Sequence, residues 1–191
     1  MWDRSIHTLV SMLKLRNHTL PAEMPALTGL SGDKKMDVCF TVENPRMLVY
    51  LTNEKKVGIR TIRMLLEHME EGGHPRALCV FMAAPTPFAK RELQQLQQGT
   101  PVRWVELFYV SELRIDITQH QMVPRHIRLS AAEREVVLQK YAATERHMPK
   151  ILLTDPMGRY LGLRSGDMVR IERKMGNQGE LPMYRVAASQ S

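Results

Sequence analysis

Val123-Pro124-Arg125-His126-Ile127-Arg128-Leu129-Ser130-Ala131-Ala132-Glu133 sets an extended segment against a helix start. Its β-branched residues favour extended backbone, and its proline keeps the segment out of the middle of a sheet. Ser130 and Glu133 have capping-box spacing: the serine accepts from the third helical N–H and the glutamate reaches back. The helix they start is expected to carry Val136, Val137 and Tyr141 on one face. Further on, Leu152-Leu153-Thr154-Asp155-Pro156 predicts a strand running into an aspartate cap with proline at the first helical position. That short helix holds Tyr160 and Leu161 and stops at Gly162. Arg164-Ser165-Gly166-Asp167 reads as a turn, and Met168-Val169-Arg170-Ile171 alternates as a half-buried strand does. Met175-Gly176-Asn177-Gln178-Gly179 is a second turn, returning through Met183-Tyr184-Arg185-Val186 as a hairpin partner. A small, basic, β-rich α+β domain over 118–191 is the expectation, with a disordered tail confined to 187–191.

Upstream, the pattern changes. Trp2, Ile6, Leu9, Val10 and Leu13 share one helical face, predicting an amphipathic helix that stops near Arg16-Asn17-His18. Residues 21–33 hold prolines and glycines without apolar periodicity and read as loop. Residues 37–42 and 47–52 are predicted strands joined by Glu43-Asn44-Pro45-Arg46. Ile59, Ile62, Leu65, Leu66 and Met69 mark a second helix ended by Gly72-Gly73. Residues 77–82 form a continuous apolar run fit for a central strand. Thr86-Pro87 caps and starts a third helix to about residue 97, and 102–110 is a further strand. Helices alternating with strands predict an α/β domain over 1–117 with a small mixed sheet.

Composition narrows the class. The 191 residues are 43% hydrophobic and 25% charged, as in ordinary globular proteins. No apolar run approaches the ~20 residues of a spanning helix, and the start has no signal-peptide block, so no membrane partner and a reducing compartment are expected. Cys39 and Cys79 make neither a disulfide framework nor a metal pair and read as structural thiols among apolar neighbours. The net charge of +7 points to an anionic partner, nucleic acid or an acidic protein surface. Fifteen basic residues oppose thirteen acidic ones up to Gln119, and twelve oppose seven from His120 onward, so the excess is +2 and then +5.

The same residues carry a family resemblance. The 123–130 stretch, Met148-Pro149-Lys150-Ile151, Thr154-Asp155-Pro156, Arg159-Tyr160-Leu161-Gly162-Leu163 and Gly166-Asp167-Met168-Val169-Arg170-Ile171 resemble the C-terminal domain of the jaw subunit shared by the nuclear RNA polymerases. A small archaeal polymerase subunit resembles that domain alone. Lys55-Lys56-Val57-Gly58-Ile59-Arg60-Thr61 is similar to a stretch of the family's N-terminal jaw domain, and Thr86-Pro87-Phe88-Ala89 to its Thr-Pro-Ser-Ala motif. Phe88 stands where that motif has serine, and Arg16-Asn17-His18 where Arg-Gly-Tyr is typical. The resemblance implies a non-catalytic subunit of a multisubunit DNA-directed RNA polymerase, without cofactor or metal of its own, in the nucleus, or in the nucleolus if it serves polymerase I. It implies that the domain over 118–191 docks on the largest subunit and neighbouring small subunits through Pro124, His126, Arg128, Asp155, Arg159, Tyr160 and Arg164. Arg128, Asp155, Arg159 and Tyr160 could equally support the fold. It also implies downstream duplex DNA beside Thr86, Pro87, Phe88, Ala89 and Lys90, with Lys55, Lys56 and Arg60 as a second basic group. Polymerase class, and cellular or viral origin, stay open at this point.

A physical route to DNA exists at Thr86, because a helix start presents unpaired N–H groups and partial positive charge. Such contacts would be backbone-directed and salt-sensitive. An ordinary capped helix and a solvated Lys55-Lys56 turn are the plainer alternatives. His120 and His126 fit no metal-pair spacing, and the resemblance, which sets this segment at a packed junction, implies hydrogen-bonded structural histidines. Thr28-Gly29-Leu30-Ser31-Gly32-Asp33-Lys34-Lys35 lacks the glycine spacing of a phosphate-binding loop. Two other functions compete: a free-standing basic nucleic-acid-binding protein, and a magnesium-dependent nuclease built from Asp37, Glu54 and Lys56, in the order of an Asp followed by Glu-x-Lys.

Overall fold

The computed structural model describes residues 2–23, 25, 30, 35–98, 104–174 and 180–189. It divides into two compact units, Met1–Ile115 and Asp116–Ser191. The glycine-rich segment at 28–34, apart from Leu30, and the turn at 175–179 lie outside the described residues.

In the first unit, α1 (Trp2–Leu15) precedes a sheet of β1 (Asp37–Val42), β2 (Met47–Thr52), β3 (Arg76–Phe81) and β4 (Trp104–Tyr109), in spatial order β1-β2-β3-β4. The β1–β2 pair is antiparallel, and β2–β3 and β3–β4 are parallel, so the sheet is mixed. The parallel steps need crossovers, supplied by α2 (Ile59–Glu71) and α3 (Pro87–Gln98). Central β2 is buried along its whole length and β3 along nearly all of it, as strands covered on both faces must be. Leu48, Tyr50, Ala77, Cys79 and Phe81 meet Ile62, Leu65 and Met69 of α2 and Ala89 and Leu93 of α3 in one cluster. Burying the larger of these, Leu48, Phe81, Ile62, Leu65, Met69 and Leu93, stabilises the unit by about 1.5–3 kcal/mol each. Past α2, Gly73 takes φ +60°, a conformation that costs glycine nothing, and the His74 N–H reaches Met69 O at 2.8 Å to close the helix.

The buried face of α1 is rotated from the one its apolar pattern predicts. Ser5, Thr8 and Met12 are buried with Trp2, Leu9 and Leu13, whereas Ile6 and Val10 are only partly covered. Ser5 can enter because its hydroxyl donates to Val110 O at 2.8 Å, so no polar group is stranded.

The second unit holds β5 (Arg125–Arg128), α4 (Ala131–Lys140), β6 (Lys150–Leu152), α5 (Pro156–Tyr160), β7 (Met168–Lys174) and β8 (Glu180–Ala188), with strand order β5-β7-β8-β6. Strand β5 is an edge strand with Pro124 just outside it, as the missing donor requires. The capping box of Ser130 and Glu133 forms, and the Asp155 carboxylate accepts from the N–H groups of Met157 and Gly158. Two expectations are corrected here. Helix α4 buries Val137 and partly covers Leu138 against Met168 and Val186, while Val136 and Tyr141 face outward. Adjacent residues lie about 100° apart round a helix, so Val136 and Val137 do not share the narrow stripe that meets the sheet. Nor does a tail begin at residue 187: Ala187 and Ala188 pair with Ile151 and Leu152 of β6. Small apolar side chains suit that crowded inner position, and the ladder satisfies their backbone. Among the described residues, no helix is long and apolar enough to cross a membrane.

Candidate functional site

Two loops leave the C-terminal ends of β2 and β3, at residues 53–58 and 82–86, and lead into α2 and α3. A backbone bond ties them, since the Thr86 N–H donates to Val57 O at 3.0 Å. Thr86 is also the cap of α3, its hydroxyl accepting from Ala89 N at 3.4 Å and its carbonyl from Lys90 N at 2.9 Å. Lys55, Lys56, Arg60, Pro87, Phe88 and Lys90 are exposed around this junction, with Arg63 and Arg91 exposed further along the helices. None of these lysines and arginines is ion-paired among the described residues. Tertiary structure therefore brings together the two basic groups that lie apart in the sequence. Ala89 differs from its neighbours. It is wholly buried in the cluster with Val57 and Leu93, so it seats α3 and does not face outward.

The two carboxylates of the nuclease reading also come together, because Asp37 pairs in register with Thr52, two residues before Glu54. What lies between them is a cation of the chain itself. Lys35 Nζ is 2.8 Å from Glu54 Oε1 and 3.7 Å from Asp37 Oδ2. The Thr52 hydroxyl donates to Asp37, and the Thr61 hydroxyl donates to Glu54. Partial burial pushes the Glu54 carboxyl up, but the Lys35 ammonium and the Thr61 hydroxyl outweigh it and hold the group below the usual carboxylate range. The Lys35 ammonium is in turn raised by its bond to Glu54. Lys56, the third member of the nuclease set, is exposed, and Lys35 takes the place beside the two acids. The arrangement is a clamp joining the strand ends to α2, with the Lys35 ammonium beside both carboxylates.

In the second unit the expected interface residues divide by environment. Arg128 is exposed and pairs with Asp167, Nη2 to Oδ2 at 3.0 Å. Pro124 and His126 are half-buried at the sheet edge, and the His126 Nδ1–H donates to Pro124 O at 2.7 Å, which sets its tautomer. His120 Nδ1 accepts from Met122 N at 3.2 Å. Arg159 and Arg164 are half-buried, and the Arg164 N–H donates to Asp167 Oδ2 at 2.7 Å. Asp155 is occupied as a helix cap, and Tyr160 is only 4% exposed. Within the chain both are engaged, Asp155 at the start of α5 and Tyr160 in the interior.

Residues 115–187 match the family model for the RNA polymerase Rpb5 C-terminal domain. A protein of Dictyostelium discoideum named DNA-directed RNA polymerases I, II, and III subunit rpabc1 is 32% identical over 184 residues, covering 94% of this chain and 93% of that protein. The chain belongs to the Rpb5 family. Relatives named RPABC1 in Caenorhabditis elegans and Caenorhabditis briggsae are each 33% identical over 141 residues, 74% of this chain. The aligned part spans 65% of the length of each nematode protein.

Two residues of this Rpb5 family member gain their importance only in the structure. Asp167 holds both Arg128 and the Arg164 backbone, so one side chain organises two of the expected interface arginines. Its place after Gly166, which takes φ +88°, marked it as a turn residue but not as that anchor. Lys35 follows a segment without periodicity, and nothing in its sequence neighbourhood pairs it with Glu54.

Proposed function

We propose that this chain is a non-catalytic subunit of a multisubunit DNA-directed RNA polymerase, working in the nucleus. The unit Asp116–Ser191 docks on the largest polymerase subunit through exposed Arg128, half-buried Arg159 and Arg164, and Pro124 and His126 at the sheet edge. The unit Met1–Ile115 acts as a jaw beside downstream duplex DNA, turning Lys55, Lys56, Arg60 and Lys90 toward the phosphates. Phosphoryl transfer and its metal ions belong to other chains. The observation that carries this reading is the similarity to the Dictyostelium protein, which runs through both units.

The basic surface fits the role physically. Exposed cations gain from releasing the counterions of a phosphate backbone and read no bases. The test is affinity purification of the tagged chain at moderate salt. Stoichiometric large polymerase subunits are expected in the eluate, and mass spectrometry of the largest one assigns the polymerase class. A chain recovered alone, or with nucleic acid only, refutes the proposal. That result would favour the second reading, a free-standing nucleic-acid-binding protein, for which the net charge of +7 speaks.

A further inference from the structure

Helices α1 and α2 end in the same way, and both ends deliver a histidine to the end of β1. Asn17 and Gly73 take φ 62° and 60°, and the N–H groups of His18 and His74 reach back to Leu13 O at 3.0 Å and Met69 O at 2.8 Å. This is the Schellman stop, whose last residue is commonly apolar and packs against the helix. Here that residue is titratable in both cases. The His18 Nδ1–H donates to Glu43 O at 3.3 Å, and His74 Nε2 lies 3.2 Å from the Thr41 hydroxyl. Backbone bonds of 2.9 and 3.1 Å between Thr19 and Glu43 tie the exposed 43–46 turn to the same place, and Asn44 Nδ2 donates to Thr19 Oγ1 at 2.9 Å.

Neither ring is placed to carry charge. His74 is buried against Gly72, where a Cβ would lie 2.3 Å from its Nε2, and its Nδ1 has no hydrogen-bond partner among the described residues. In the imidazolium both nitrogens donate, so a proton at Nδ1 would meet no acceptor. The charges acting on His74 are Arg46, which opposes a second cation, and Glu43, which favours it and is 3.7 Å from Arg46. His18 is half-buried and feels the Arg16 guanidinium, which opposes its cation, and Glu106, which favours it but is 2.9 Å from Arg16. Burial outweighs the attraction of the Glu43 and Pro45 carbonyls and of the helix ends, and holds both imidazoles below the usual histidine range. We propose that His18 and His74 form an acid-sensitive latch: neutral, they hold the end of β1 to both helix ends, and charged, they free the 43–46 turn. The inference goes beyond the polymerase reading and does not depend on it. Both groups are depressed in the fold, so the latch is whole above about 6.5, and its contribution is lost as pH falls from there through the lower folded values.

NMR of the 191-residue chain between about pH 7.5 and about pH 5 tests it. The His18 and His74 rings should titrate below about 6.5. Over the same range, hydrogen-exchange protection of the Thr19 and Glu43 amides, corrected for the intrinsic rate, should fall about tenfold or more, since each unit of depression is worth a factor of ten. The Leu129 amide, bonded to Met168 O at 2.9 Å in the second unit, should keep its protection. His18→Gln with His74→Gln should flatten the response. Rings that titrate at or above about 6.5, or protection that does not follow them, overturn the proposal. So does an equal loss at Leu129, which would mean a general loosening of the chain. A variant pair that still loses protection assigns the response to another group and overturns it too. Should the pair not fold, the parent decides alone: ring and amide midpoints that coincide uphold the latch, and midpoints that differ overturn it.

Discussion

Removing the guanidinium of Arg16 should unfold the first unit far more easily than an average surface change. Arg16 Nη2 lies 2.9 Å from Glu106 Oε2, with the two side chains only 5% and 19% exposed, and it joins the end of α1 to β4. Its guanidinium carbon also sits 5.9 Å from the Phe108 ring centroid. Arg16→Ala leaves the Glu106 carboxylate without this partner in a site that water barely reaches. Orphaning one member of a fully buried pair costs about 3–5 kcal/mol, and the residual exposure of Glu106 brings the expectation to about 2–3 kcal/mol. Urea unfolding followed by tryptophan fluorescence reads this unit selectively, because the chain's two tryptophans, Trp2 and Trp104, both lie in it. With a slope of about 1–3 kcal/mol/M, the midpoint should fall by about 1–2 M without a change in slope. Arg16→Met combined with Glu106→Leu should recover much of the loss, since it removes the charge along with its partner. A midpoint shift below about 0.3 M for Arg16→Ala would refute the reasoning, and would mean that Glu106 finds water or another cation.

Four further outcomes are expected. Lys55→Gln, Lys56→Gln and Lys90→Gln together should weaken retention of downstream DNA by purified polymerase, most at low salt, with normal recovery of the enzyme; loss of the subunit from polymerase would reverse the assignment of the two faces. Gly158→Ala should lower the thermal stability of the second unit by about 1–3 kcal/mol, because its Cβ would lie 2.8 Å from the backbone oxygen of Leu152. The Lys35–Glu54 clamp should set a pH window. Glu54 is depressed in the fold, so its contribution is present above the ordinary value of about 4.3 and is lost as pH falls through the lower folded value. Lys35 is raised, so its contribution holds below about 10.4 and is lost at higher pH. Thermal midpoints measured across pH should therefore lose part of their acid fall in Glu54→Gln, and an unchanged acid limb would count against the clamp. Finally, Tyr160→Ala should destabilise the second unit by about 3–5 kcal/mol, while Arg159→Ala should leave it folded and lower recovery of polymerase; a folded Tyr160→Ala unit would place that ring outside the core.

Features written in a few neighbouring residues were legible from the sequence. Strands β1 and β2 occupy the predicted 37–42 and 47–52, because the apolar runs and the turn that joins them are both local. The Ser130–Glu133 box and the Asp155 and Thr86 caps form where their spacing places them, since each bond spans at most three residues. The faces of helices were harder to read. On α1, the hydrophobic pattern selects Ile6 and Val10, but the burial of Ser5 depends on Val110, far away in the chain. On α4, Val136 and Val137 look equivalent until the sheet beneath chooses one.

The sequence alone determined the alternation of helices and strands, the helix caps, the basic excess and the family resemblance, because all of these reside in residue identity and short spacing. Tertiary structure alone decided that the Lys55-Lys56 loop and the Thr86 cap share one junction, that Lys35 bridges Asp37 and Glu54, and that Tyr160 lies inside. Each of these depends on which distant backbone a side chain meets after folding, and crossover strands bring such partners together irrespective of their separation along the chain.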